Sequence, residues 1–190
     1  MRGSIVDTTN ADLRRRLRFS WSPDCPVDIG GLRLVEIPYV AMDGAEKVGE
    51  MVLHADVTEA VLDAFSAIHA ARFPIERMEL IDQYEGDDNR SMAANNTSAF
   101  NCRIIPGTDQ LSQHSFGLAV DLNPALNPYM FDATTILPTG SDRYLDRTLD
   151  VPGLIAPDGP AVRAFADIGW KWGGAWDGLK DYHHFSATGG

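Results

Sequence analysis

Three of the five histidines fall in two short segments, Ser112-Gln113-His114-Ser115-Phe116-Gly117-Leu118-Ala119-Val120-Asp121 and Asp181-Tyr182-His183-His184-Phe185. Imidazole and carboxylate are the N and O donors that zinc accepts, and three such donors with a fourth position left to water make a catalytic site. His114, Asp121 and His184 are the candidate ligands. On a straight strand His114 and Asp121, seven positions apart, would point to opposite faces. Gly117 supplies a place to turn between them, and the small Ala119 leaves room beside Asp121. Asp181 and His184 need a similar turn to face the same point. Asp181 would then serve as the base that takes a proton from water, and His183 would point away, towards a supporting hydrogen bond. On residue type alone the competing reading is that these histidines are packed or surface residues, as His54 and His69 are read.

Those segments need a scaffold. Leu32 to Val40 and Glu50 to His54 read as strands separated by the turn-like MDGAEK. Asp56 reads as a helix N-cap with Glu59 as its capping-box partner. Val57, Val61, Ala64, Phe65 and Ile68 then give one apolar helical face to about Ala71, before Pro74. Met78 to Gln83 reads as a strand, residues 84–99 as a polar loop, and Phe100 to Ile105 as a short strand carrying Arg103. Leu118 to Leu122 alternates as a strand does. Asn123 to Gly159 lacks periodicity and reads as a surface excursion. Pro160 starts a helix through Ile168 that Gly169 ends, and a last strand surrounds His184. Residues 1–30 read as an irregular arm ahead of a single domain over 31–190. The class is α+β, a small antiparallel sheet flanked by helices with long loops.

The 190 residues suffice for one domain with a core, and a monomer is the expectation. A formal charge of −11 argues against generic nucleic-acid binding. The cluster Arg14, Arg15, Arg16, Arg18 reads as a solvated face. No apolar run approaches the roughly 20 residues that cross a bilayer. The opening MRGS could be a vector scar, and no signal peptide is legible. Cys25 and Cys102 form no CxxC pair and fit either a disulfide or buried thiols. No Gly-rich phosphate loop is present.

The pattern SxHxxGxAxD followed by DxxHF resembles the M15 metallopeptidases, which include D-alanyl-D-alanine carboxypeptidases, related dipeptidases, and phage L-alanyl-D-glutamate endopeptidases. The similarity runs from about Phe73 to Phe185 and takes in NNTSAFNCR, LNPALNPY and FADIGWKWGGAW. It implies a Hedgehog/D-Ala-D-Ala peptidase-like fold and a zinc ion on His114, Asp121 and His184. It also implies a catalytic carboxylate at Asp181, an intermediate-steadying guanidinium at Arg103, and Ser112 near the substrate. For Arg103 the alternative is a structural ion pair. The implied substrate is a peptidoglycan stem peptide, met outside the cell or in the wall. Asp rather than Glu at 181 resembles the endopeptidase branch. The alternatives are a D-Ala-D-Ala carboxypeptidase or dipeptidase, or an inactive zinc-stabilised binding module of the Hedgehog kind.

Overall fold

The computed structural model describes residues 1–189 and mixes four helices with small sheets. In chain order the elements are β1 (Ser4–Ile5), α1 (Asn10–Arg16), β2 (Leu32–Ala41), β3 (Glu46–His54), α2 (Thr58–Ala70), β4 (Pro74–Ile75) and β5 (Arg77–Met78). They continue with α3 (Asp88–Ala93), β6 (Asn96–Thr97), β7 (Ala119–Asp121), β8 (Tyr129–Met130), β9 (Ile136–Leu137), α4 (Pro160–Asp167), β10 (Lys171–Trp172) and β11 (His184–Ser186). The long hairpin of β2 and β3 is antiparallel, with Leu34 opposite Val52. Strands β1 and β4 add to β2, and a second sheet runs β10-β11-β7. None of the helices is long and apolar enough to cross a membrane among the described residues.

Both faces of the β2–β3 hairpin are covered, because period-two alternation sends apolar side chains both ways. Val35, Ile37 and Leu53 join Val61, Phe65 and Ile68 of α2, and Phe165 of α4, in the main core. Phe165 stacks on Phe185 with centroids 4.3 Å apart, which fastens α4 to the strand that carries His184. Leu32, Leu34 and Val52 face the other way, onto Leu13, Leu17, Val27 and Ile29.

The first thirty residues, expected to be irregular, thus carry β1 and α1 and bury four apolar side chains against the sheet. Thr9 caps α1, its hydroxyl accepting from the Asp12 N–H at 3.1 Å. The short apolar spacing of this stretch hid it, since Leu13 and Leu17 are its only helix-periodic pair.

Other expectations are corrected. The capping box at Asp56 does not form. A 3₁₀ turn over Ala55–Val57 precedes α2, and the His54 Nδ1 accepts from the Asp56 N–H. Glu59 instead pairs with Arg2 at 2.6 Å. The strand expected over Met78 to Gln83 is confined to Arg77–Met78. Ile81–Tyr84 coils into a 3₁₀ turn whose Asp82 carboxylate accepts from Phe19 N and Ser20 Oγ. The polar loop 84–99 contains α3 and β6. Phe100 to Ile105 is not a strand: apart from an isolated bridge of Ile104 to Leu111, its N–H groups go to scattered backbone acceptors, Val52, His114, Ser20 and Gln110, and that of Arg103 goes to the Ser115 side chain. The stretch 123–159 is not wholly superficial, since Asn123, Asn127, Leu154 and Ile155 are buried. Pro160 opens α4 and Gly169, at φ +81°, follows it, as its sequence requires.

Candidate metal centre

The register of β7 against β11 sets Asp121 directly opposite His184. Opposed residues of an antiparallel pair project to one face, so this single pairing brings two donors together across 63 positions of chain. Ser98 holds the other edge of Asp121 through two backbone hydrogen bonds of 2.8 and 3.0 Å.

His114 comes from a 3₁₀ turn, Gln113–Phe116, capped by Ser112, whose hydroxyl accepts from the His114 N–H at 3.3 Å. Gly117 then reverses the chain into β7 at φ +66°. A Cβ there would lie 2.6 Å from the backbone nitrogen of His54, so the turn requires glycine on two counts. His114 Nδ1 lies 2.5 Å from the carbonyl of Ala99, an acceptor only, which places the ring proton on Nδ1 and leaves the Nε2 lone pair facing inward.

His114 Nε2 is 3.1 Å from an Asp121 oxygen and 3.3 Å from His184 Nδ1, and His184 Nδ1 is 3.1 Å from the other Asp121 oxygen. Donors about 2.0–2.1 Å from a tetrahedral zinc stand roughly 3.3 Å apart, close to these separations, in which each imidazole faces a different oxygen of Asp121. All three residues are buried, and together they form a group that could hold a metal ion. Burial would push the His114 imidazole down, but the Asp121 carboxylate outweighs it and the net shift is upward. Burial would likewise raise Asp121, yet His114 and His183 hold its carboxyl well below the usual range. The carboxylate is therefore ionised, the form a metal takes.

Asp181 is reached by a tight turn in which the His184 N–H points to the Asp181 carbonyl. Tyr129 bridges to it from β8. Burial is the largest influence on the Asp181 carboxyl and raises it, with His183 and His184 partly offsetting the shift. A carboxyl so raised moves towards the range where a base works best at neutral pH. His183 is no member of the donor group: its Nδ1 is 2.7 Å from the Asn127 carbonyl, and its Nε2 is 3.9 Å from Asp121 Oδ1 and 3.1 Å from Asp181 Oδ1. That last approach lacks hydrogen-bond alignment, and Asp181 Oδ1 stays an unpaired buried acceptor.

Arg103 lines the same cleft. Its backbone is clasped by Ser115, whose Oγ accepts from the Arg103 N–H at 2.9 Å and donates to the Arg103 carbonyl at 2.8 Å. Its Nη2 pairs with Asp88 at 2.8 Å, while its Nε is buried without a partner. The cleft has a volume of about 250 Å³, and Ser112 also lines it. Asp181 Oδ1, His184 Nε2, Arg103 Nε and Trp176 Nε1 are buried polar atoms without hydrogen-bond partners, and all four residues line this cleft. Native proteins leave few such groups, and a concentration of them marks a place built for another molecule.

The structure thus brings His114, Asp121, His184, Asp181, Arg103 and Ser112 to one cleft. Sequence reasoning missed Asp88 and Tyr129, which line it too. Asp88 sat in a segment read as a featureless polar loop, and Tyr129 in one read as a surface excursion, so only an α3 and a β8 assignment could have found them. Of the three tryptophans near the C-terminus, Trp170 and Trp172 are buried in the main core, and Trp176 reaches the cleft with its ring 5.6 Å from that of His184.

No curated protein and no solved structure gives a match to the chain. A family model described as D-alanyl-D-alanine carboxypeptidase, of the M15 peptidases, matches residues 106–187. That span supplies His114, Asp121, Asp181 and His184, the donors and the carboxylate just described. By the motif it carries and the segment that matches, the chain is similar over residues 106–187 to the M15 peptidases.

Proposed function

We propose that the protein is a zinc-dependent hydrolase of peptidoglycan stem peptides, cleaving the L-Ala–D-Glu bond in preference to a terminal D-Ala–D-Ala bond. The observation that carries the hydrolase reading is the convergence of His114, Asp121 and His184, one ligand atom from each within 4.8 Å of the others, in an open cleft that also holds Asp181 and Arg103. His114, Asp121 and His184 would hold the ion, and Ser112 would steady the turn that presents His114. Zinc bound there would act as a Lewis acid towards water and the scissile carbonyl. Asp181, with a free Oδ1, accepts the proton of the attacking water and returns it to the amine as the C–N bond breaks. Arg103 offers its unpaired Nε–H to the oxygen that gains charge, where exclusion of water strengthens the interaction. His183 limits the swing of Asp181.

Asp at position 181, by resemblance to the endopeptidase branch, supports the L-Ala–D-Glu bond. The description of the matching family supports the terminal D-Ala bond as the second reading. The Cys25–Cys102 disulfide supports an oxidising compartment, hence action outside the cell or in the wall. The Hedgehog-like fold and a monomeric state remain part of this proposal. Mass spectrometry of muropeptides treated with the zinc-loaded protein tests it. A new D-Glu amino terminus that a chelator abolishes is expected, and released D-Ala would select the second reading. Intact muropeptides with zinc bound would leave a binding module and sink the hydrolase.

A further inference from the structure

The cleft is poor in unpaired positive charge. Among the described residues that line it, Arg103 is the only lysine or arginine, against the carboxylates of Asp88, Asp121 and Asp181. Asp88 occupies the Arg103 guanidinium at Nη2, and both side chains are three-quarters buried. A dication on the His–Asp–His group would balance the charges of Asp121 and Asp181, which brings the cleft to formal neutrality and no further. Met92, Ile105, Pro106, Phe131 and Leu137 line it as apolar residues, and Asn89, Ser112 and Gln113 add only neutral polar groups. A ligand carboxylate drawn into this space would lose its hydration and find only a guanidinium whose charge Asp88 already offsets, a cost that a neutral amide in hydrogen-bonding surroundings avoids. The chain's formal charge of −11 adds a long-range bias in the same direction.

We infer that the cleft selects peptides with a carboxamide, rather than a free carboxylate, on the residue following the scissile bond, and that Asp88 is the residue that sets this preference by keeping Arg103 engaged. This rests on the hydrolase reading of the site. In a stem peptide it means a D-glutamyl residue whose α-carboxyl is amidated. The same reasoning weighs against release of a terminal D-alanine, whose carboxylate would stand beside the cleaved bond.

The test uses two synthetic peptides that differ only in that carboxylate or carboxamide, presented to the full zinc-loaded chain. The expected kcat/KM is about tenfold higher for the carboxamide, the ratio that one unpaired polar group commands. In Asp88→Asn the ratio should close, mainly through a lower KM for the carboxylate peptide. General structural damage would lower both peptides together and leave the ratio where it was. A wild-type enzyme that prefers the carboxylate, or shows no preference, overturns the inference. An unchanged ratio in a folded Asp88→Asn protein overturns the role of Asp88, and if that variant does not fold, the wild-type pair still decides the selectivity. If neither peptide is cleaved, the hydrolase reading fails instead. Calorimetric binding of the same pair to the metal-free chain then judges the selectivity: tighter binding of the carboxamide upholds it, and equal or reversed affinity overturns it.

Discussion

His114, Asp121 and His184 are legible in the sequence because their types are rare and their order is specific, but no residue announces its own protonation state. That comes from neighbours. The Ala99 carbonyl assigns the His114 tautomer, and the Asn127 carbonyl holds His183 Nδ1 so that its Nε2 faces Asp181. Both are backbone acceptors, invisible to any reading of side-chain types. At this scale the carboxylate and the ligands should separate cleanly. Asp181→Asn removes the proton acceptor and keeps the shape, so turnover should fall by about 10²–10⁴-fold while one zinc per chain remains bound. His114→Ala should instead abolish stoichiometric zinc, since a remaining Asp121 and His184 make too few donors. Metal analysis beside steady-state kinetics distinguishes them. An Asp181→Asn protein of normal rate would remove Asp181 from the mechanism. The residue scale also shows what the sequence concealed: Asp88 looks like one acid among the run Asp87-Asp88 and is singled out only by its distance to Arg103.

At the scale of elements, the site depends on two connections. One is the β7–β11 register, which a slip of one residue would destroy by sending Asp121 and His184 to opposite faces. The other is the turn at Gly117, whose reversing role was legible in the sequence, whereas its tight fit against His54 was not. Gly117→Ala should cost roughly 1–3 kcal/mol for a non-glycine residue in the left-handed region, plus the contact with the His54 backbone. Because that turn joins His114 to Asp121, zinc affinity should drop as well. Chemical denaturation of the metal-free protein, with competitive zinc titration alongside, reads both. Stability lost without any change in affinity would mean that the turn is scaffold and does not position the ligand. The strand wrongly expected at Phe100 to Ile105 has an element-scale cause. Its backbone bonds are spread over Val52, His114, Ser20 and Gln110, and Ser115 clasps Arg103, so no single neighbouring strand pairs with it, and such scattered partners carry no signal in sequence.

The whole molecule ties its N-terminal segment to the site through one covalent bond. Cys102 precedes Arg103, and its disulfide to Cys25 closes a separation of 77 residues. The same N-terminal stretch covers the outer face of the β2–β3 hairpin through Leu13, Leu17, Val27 and Ile29. The bond therefore joins the cover of one core cluster to the segment that carries Arg103, and the Cys102 N–H donates to Ser20 beside it. Loss of a disulfide of this kind from a small domain costs about 2–5 kcal/mol, because the unfolded chain regains the freedom that the loop had removed. The Cys25→Ser, Cys102→Ser double variant should therefore melt well below the parent. Its three metal donors lie in β7, β11 and the 3₁₀ turn, none of which the bond touches, so zinc stoichiometry should stay at one. Arg103 loses its tether, so turnover should fall further than zinc content. Thermal unfolding, metal analysis and kcat on the same preparation check the three expectations together. An unchanged melting temperature would mean that apolar packing alone holds the N-terminal cover in place, and normal turnover in the variant would mean that Ser115 and Asp88 suffice to hold Arg103.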